Sequence, residues 1–157
     1  MMAGSDTTTK RYVYQAPSLY VAFFYILLAA WTLICVAFLG SRFDTWRLAN
    51  AFQLFMIAFI LFYTWYFSVA ISYMIEVGDD GSVELTSFRR IITLSVQHIA
   101  MVEGPHFAIG FIRFRLEREK AYLFCLVHDD ALRRVLSAMR AANPEIHFKR
   151  ISTVALR

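Results

Sequence analysis

The first half of the chain holds two long apolar segments. No charged residue occurs at positions 12–41 or at positions 48–75. About nineteen apolar residues in a helix reach roughly 28 Å, which is enough to cross the hydrocarbon core of a bilayer. The pattern therefore predicts a transmembrane helical hairpin at residues 12–70, with its helices at about 18–39 and 49–70.

The start of the chain is polar. Residues 1–11 lack hydrophobic periodicity and predict a flexible tail. A secretory signal peptide is the competing interpretation, because Lys10 and Arg11 precede the first apolar segment. Signal cores are shorter and end in small residues, whereas phenylalanine and leucine close this segment before Gly40. We therefore expect the segment to be retained as a membrane helix.

Tyrosine and tryptophan cluster at the ends of the two apolar segments. Such rings favour the membrane interface, because one end is apolar and the other forms hydrogen bonds. The predicted interface anchors are Tyr12, Tyr14, Tyr20, Tyr63, Trp65 and Tyr66 at one face and Trp46 at the other. Basic residues near the helices are more numerous on the side of the termini than in the short loop, which favours termini in the cytoplasm.

From residue 71 the pattern changes to an alternation of apolar and polar residues. A period of two is typical of β-strands. Glycine and aspartate at 78–81 predict a tight turn between the first two strands. Further strands are predicted up to residue 127, with a loop at 104–110.

The last predicted element is a helix. Asp129 or Asp130 can cap it by accepting hydrogen bonds from the free amides of the first turn. One apolar stripe with helical spacing is formed by Leu132, Val135, Leu136 and Met139. Residues 71–144 therefore predict a folded domain, and residues 145–157 a basic tail without assigned structure.

Three segments carry a resemblance: the turn at 77–83, the strand–turn–strand segment at 92–102 and the closing helix at 129–142. With the two helices before them, they resemble small bacterial membrane proteins with a pleckstrin-homology-like domain, over roughly residues 12–144. The fold class implied is a membrane α-helical hairpin plus α+β: a small antiparallel sheet or partial barrel closed by one C-terminal helix. The strands are few for such a domain, so one or two are missing or a neighbouring chain completes the sheet.

Composition separates the two halves of the chain. Apolar residues make up 59% and charged residues 18%, against about half and a quarter in soluble domains. The excess lies before residue 76; the remainder carries twelve basic and ten acidic side chains, a net charge of +2. No recognition motif is present, so we expect no nucleic-acid partner. Cys35 and Cys125 lie in unlike segments and predict neither a disulfide nor a metal site.

No catalytic constellation is visible in the sequence. The four histidines are scattered and lack metal-ligand spacing. Ser87 and Ser95 lack the glycines of a nucleophile elbow, and the 104–110 loop lacks the lysine of a phosphate loop. We expect no cofactor, no metal and no enzymatic activity. A membrane-bound hydrolase or transferase would need a clustered set of His, Asp, Ser or Cys.

Basic residues provide the candidate contacts with anionic lipid or with a partner: Arg89, Arg90, Arg113, Arg115, Arg118 and Lys120. Near an anionic membrane each basic side chain contributes about 1 kcal/mol. The competing interpretation is a solvated strand face, because Glu117 and Glu119 are interleaved with them.

The sequence favours a non-catalytic membrane-anchored scaffold or adaptor at the cytoplasmic face of the inner membrane. Its expected partners are the lipid bilayer and either another protein or a second copy of the chain, because a small sheet exposes edges. The alternative is an accessory or stabilising subunit of a larger integral membrane complex, cofactor-carrying complexes included. In that case the aromatic hairpin packs on partner transmembrane helices. Any small-molecule ligand stays open.

Overall fold

A computed structural model describes residues 11–41, 48–116 and 119–151, the side chains of 48–50 excepted. The chain forms two compact units. The helical unit comprises residues 17–70, and the sheet unit combines the residues up to Ala16 with those from Ile71. The helical unit is therefore inserted into the sequence of the sheet unit.

The helical unit consists of α1 (Ser18–Gly40) and α2 (Leu48–Ser68), as predicted. Both helices are long and apolar enough to cross a membrane. Most of their apolar side chains point outward: only 11% and 6% of the residues in the two candidate spans are buried. The core helix of a soluble protein would bury that apolar surface.

Polar side chains join the two helices. The Tyr25 hydroxyl donates to the Ser68 carbonyl at 2.7 Å. The Trp65 indole N–H donates to Thr32 Oγ1 at 2.9 Å, and Thr32 in turn donates to the carbonyl of Leu28 at 2.8 Å. These polar groups therefore find hydrogen-bond partners within the helix pair.

The sheet unit contains eight strands and one α-helix among its described residues. The strands are β1 (Arg11–Gln15), β2 (Ser72–Gly78), β3 (Ser82–Ser87), β4 (Ile91–Ser95), β5 (Ile99–Glu103), β6 (Ile109–Leu116), β7 (Lys120–Leu126) and β8 (His147–Lys149). The order is β4-β3-β2-β7-β6-β5-β8, with β1 also paired to β2. Most neighbours are antiparallel, but β2–β7 and β5–β8 are parallel. The sheet is thus mixed and does not close, whereas the prediction was a small antiparallel sheet or a partial barrel.

The predicted β2–β3 turn is confirmed. Gly81 has a φ of +79°, which a residue without a Cβ adopts at low cost. Asp80 Oδ1 accepts hydrogen bonds from the Ser82 amide at 3.0 Å and the Ser82 hydroxyl at 2.6 Å. These hydrogen bonds lower the pKa of the Asp80 carboxyl, because they favour its charged form.

The helix α3 (Asp130–Ala142) covers β1 and β2. Its predicted stripe is confirmed, because the side chains of the four stripe residues are all buried. Asp129 Oδ1 accepts a hydrogen bond from the Ala131 amide at 2.8 Å, so Asp129 is the cap. The core lies between α3 and the sheet, with Ile75 and Val77 of β2 buried against it.

Two predicted boundaries are wrong. Residues 12–16 were assigned to the hairpin, but β1 pairs antiparallel with β2, with Tyr14 opposite Ile75. The sequence pattern predicts no structure for residues 145–157, but β8 pairs parallel with β5, with Phe148 opposite Val102. Both strands are short and have partners far away in the sequence, so local periodicity does not reveal them.

Candidate functional site

The strand β4 forms one end of the sheet. Within the described part of the chain it pairs with β3 alone, and its other long side has no strand beside it. Its five residues, Ile91 to Ser95, lie between a tight turn at 87–90 and a 3-10 turn at Val96–His98. An edge strand presents backbone N–H and C=O groups to whatever lies next to it.

The hydrogen bonds at its two ends show which backbone groups point outward. The Ser87 amide donates to the Arg90 carbonyl at 3.0 Å, and the Val96 amide donates to the Gly81 carbonyl at 2.9 Å. Because these directions alternate along an antiparallel ladder, the backbone groups of even-numbered residues face β3. Those of Ile91, Thr93 and Ser95 face away from the sheet.

A groove of about 490 Å³ runs along this free edge. Its lining residues are Arg90, Ile91, Ile92, Thr93, Leu94, His98, Leu116 and Glu119. Ile92 and Leu94 lie on the core face of β4, opposite the fully buried Leu85 and Val83. With Leu116 from β6 they form an apolar floor that is only half-buried.

An ion pair stands at one end of the groove. Arg90 Nη2 lies 3.0 Å from Glu119 Oε2, and both side chains are exposed. The Ser87 hydroxyl also bonds the backbone of Arg90 at both its N–H and its C=O, which holds the preceding turn. Surface pairs of this kind contribute about 0–1 kcal/mol. The pair can therefore open when another charged group competes for Arg90.

The other end of the edge is anchored by hydrogen bonds. Ser95 Oγ accepts from the Gln97 amide at 3.3 Å and starts the 3-10 turn. Asn143 Nδ2, at the end of α3, donates to the carbonyl of Val96 at 3.3 Å. The buried Val96 side chain fixes the same position. Hydrogen bonds thus anchor the strand β4 at both of its ends.

The sequence of β4 lacks the usual protection of an edge strand. Natural edges carry charged residues, proline or a bulge that keep other chains from pairing with them. Ile-Ile-Thr-Leu-Ser contains none of these residue types. The β3–β4 ladder runs without a register shift, whereas β2–β3 and β5–β6 each contain one. Ile91 is also 62% exposed.

The candidate basic residues do not form one patch in the described structure. Arg90 stands at the groove, and Arg89 is exposed beside it. Arg113 forms an ion pair with Glu103, whose other oxygen lies 3.8 Å from Lys149 Nζ. Arg115 lies opposite Lys120 at the ends of β6 and β7, and Arg118 is outside the described residues.

The predicted membrane-interface anchors lie in different surroundings. Tyr14 is fully buried in the sheet unit, and its hydroxyl accepts from the Leu126 amide at 3.1 Å, so its assignment as an anchor is wrong. Tyr12 is a half-buried residue of β1. The indole N–H of Trp65 bonds within the helix pair rather than facing outward. Among the predicted anchors, Tyr20, Tyr63 and Tyr66 are exposed, and Trp46 is outside the described residues.

Groups suited to catalysis are dispersed in the described residues. No three His, Cys, Asp or Glu side chains among them lie close enough to hold a metal ion. Burial raises the pKa of the Cys125 thiol to about 12, so it stays protonated near neutral pH and is a poor nucleophile. All four histidines are exposed. The absence of enzymatic activity stays a prediction.

The sequence pattern predicts the strand β4 but does not indicate that β4 ends the sheet. The uninterrupted Ile-Ile-Thr-Leu-Ser run, without charge, glycine or proline, is the signal that points to an unprotected edge. Which strand ends the sheet depends on pairing between distant segments. Comparisons with protein-family models, with curated proteins and with solved structures found no match to this chain.

Proposed function

We propose that this protein is a non-catalytic, membrane-anchored scaffold or adaptor with a pleckstrin-homology-like domain, which binds protein segments at the cytoplasmic face of the inner membrane. The observation that carries the proposal is the unprotected edge of β4 beside an apolar groove. Outward-facing backbone groups provide hydrogen bonds to an added strand, and the groove provides contacts for its side chains.

Two features support membrane anchoring by the helical unit. Its large side chains present an apolar surface, with Leu19 76% and Phe52 68% exposed. Exposure of so extended an apolar surface is unfavourable in water but favourable in lipid. A cleaved signal sequence is disfavoured, because β1 precedes α1 and is a paired strand of the sheet. Cleavage after α1 would remove β1.

The β1–β2 ladder also bears on topology. Arg11 lies opposite Gly78 and Gln15 opposite Met74, so both segments must be in the same compartment. Two membrane crossings between them, by α1 and α2, return the chain to the side where it began. The distribution of basic residues then supports the cytoplasmic side. With the sheet unit on the cytoplasmic side, contact between the six basic residues and lipid stays a prediction.

Site-specific photocrosslinking in native membranes tests the proposal. A photoreactive amino acid at position 93 lies on the outer edge of β4, and the same amino acid at exposed position 134 of α3 is the matched control. We expect discrete protein adducts from position 93 and none of the same size from position 134. Equal labelling patterns at the two positions, or no adduct at 93, would refute binding at this edge.

A second candidate function has its own observation. The aromatic rings of Phe55, Phe59, Tyr63 and Phe67 follow one another at four-residue intervals along α2, with centroid distances of 6.2, 4.4 and 6.0 Å. All four side chains are exposed. A continuous aromatic stripe suits packing against other transmembrane helices, which supports an accessory subunit of a larger membrane complex.

Purification in mild detergent separates the two candidates. An accessory subunit should co-migrate with a large complex, and replacing Phe59 and Tyr63 by leucine should release it, because leucine keeps the apolar character but removes the rings. The same double replacement at Phe23 and Trp31, exposed on α1, is the control. If the wild type migrates as a free protein, and neither double variant migrates differently, the result would count against the accessory subunit.

A further inference from the structure

The partner that fits the β4 edge can be described by its chemistry. We infer that the edge takes an extended peptide segment in antiparallel alignment, with alternating apolar side chains and an acidic residue at its carboxyl end. This inference rests on the proposed function and goes further by naming the class of partner. Three observations carry it: the outward backbone groups, the groove floor and the charge at the start of β4.

The outward backbone groups of β4 indicate that the partner binds as an extended strand. Ile91, Thr93 and Ser95 each direct an N–H and a C=O away from β3, so they match a strand and not a helix. Antiparallel pairing is slightly more stable per residue than parallel pairing. The two existing ladders on this side of the sheet, β2–β3 and β3–β4, are also antiparallel.

The groove sets the side chains of the partner. Partner residues opposite Ile92 and Leu94 point to the same face as these two, because directly opposed residues in a ladder share a face. There they meet the half-buried floor completed by Leu116. Apolar side chains at those alternate positions bury surface, and polar ones would not. The positions between them face the opposite side, beside the exposed Ile91 and Thr93.

The charged residues near the start of β4 indicate which residue type the partner carries at its carboxyl end. Arg89 and Arg90 immediately precede β4, and Arg115 and Lys120 lie at the adjoining β6–β7 turn. Glu119 is the acidic residue among the described groups that line the groove. Arg90 and Glu119 form an exposed ion pair of small net stability, so a carboxylate of the partner can take the place of Glu119 beside Arg90. In antiparallel alignment the carboxyl end of the partner lies beside the start of β4, so the acid belongs there.

The experiment uses the full chain in nanodiscs and a displayed library of short random linear peptides. Selection is for binding to the wild-type protein and against binding to Thr93→Pro. Proline removes the outward N–H of residue 93, and an edge strand tolerates it because that N–H has no partner in the sheet. We expect the enriched peptides to alternate apolar residues and to end in Asp or Glu.

Affinity measurements on one enriched peptide then test each feature. Thr93→Pro should weaken binding about tenfold, because an intermolecular hydrogen bond is lost and the ring obstructs pairing. Thr93→Val keeps the backbone donor and should bind like the wild type. Arg90→Glu should weaken the acid-ended peptide, and a lysine-ended version of the peptide should recover binding to this variant. Hydrogen exchange should slow at residues 91, 93 and 95 on binding.

Several outcomes would overturn the inference. Enriched peptides without alternation, equal binding by Thr93→Pro and the wild type, or indifference to charge at residue 90 would each do so. Self-association of the wild type that Thr93→Pro abolishes would show that a second copy occupies the edge. Photocrosslinks from position 93 without any enriched peptide would leave the proposed function standing and reject only the extended-peptide class.

Discussion

Tyr14→Phe tests how the strand β1 is held in the sheet unit. Tyr14 is fully buried, and its hydroxyl accepts a hydrogen bond of 3.1 Å from the Leu126 amide of β7. The substitution keeps the ring and removes only this acceptor. An amide left without a partner in a partly buried site costs about 1–3 kcal/mol. For a unit of this size, each kcal/mol lowers the melting temperature by about 4–8 °C.

The same side chain predicts a pH dependence. Burial raises the pKa of Tyr14 from 10.0 to about 12, because the charged phenolate is poorly solvated there. The folded state therefore holds its proton more tightly than the unfolded state. The stability it contributes is complete below pH 10 and is lost as the pH rises from about 10 to about 12. Tyr14→Phe lacks this loss. The difference in the free energy of unfolding between the wild type and the variant should therefore be about 1.4 kcal/mol smaller near pH 11 than below pH 10.

Thermal unfolding of the full chain in nanodiscs, followed by circular dichroism at pH 8 and pH 11, measures both effects. Cys125 also has a raised pKa, and its own loss of stability at high pH occurs in both proteins. Tyr122→Phe is the control, because Tyr122 lies on the neighbouring β7 and is 40% exposed. Equal stability of Tyr14→Phe and the wild type at pH 8, or a gap that does not narrow at pH 11, would refute the assigned role.

Three further predictions concern the cap, the core and the topology. Asp129→Ala should destabilise the sheet unit by about 1 kcal/mol through loss of the α3 cap, whereas Asp130→Ala should have little effect on the melting temperature, since its side chain is 83% exposed. Met139→Ala should cost about 2–5 kcal/mol in unfolding experiments, because Met139 is fully buried and the cavity cannot collapse completely; Arg140→Ala, exposed on the same helix, should cost much less, and similar values for the two would contradict the assigned core. Cysteines introduced at Gln15 and Arg134 should both react with a membrane-impermeant thiol reagent from the same side of the membrane, because β1 and α3 belong to one folded unit. Labelling of the two positions from opposite sides would rule out the β1–β2 ladder.

Local patterns allowed much of the fold to be predicted. The helix α3 follows from an apolar stripe at helical spacing and from the acidic cap before it, both of which act within a few residues. Strands β2 to β7 follow from alternation interrupted by turn residues, and all of them lie between residues 71 and 127, where strands were predicted. The long uncharged segments likewise predict α1 and α2, because helix length and apolarity are local properties.

Other features depend on contacts between distant segments. The strand β1 adjoins a long apolar segment. It ends at residue 15, and its partner β2 begins at residue 72, which is 57 positions later. The strand β8 has three residues and needs the edge of β5 to form. Short strands have little stability of their own and form only where another strand supplies hydrogen bonds. Tyr14 was misassigned for the same reason, since its burial comes from this pairing.

The amino-acid sequence alone determined which segments are apolar enough to cross a membrane, where the strands alternate and how α3 is capped, because each of these follows from neighbouring residues. Only the tertiary structure decided that β4 ends the sheet and that a groove follows its free side. Ile92, Leu94 and Leu116 line that groove together although the last comes from another strand. A sheet edge is defined by which strands pair, and pairing is a non-local choice made by the whole folded unit.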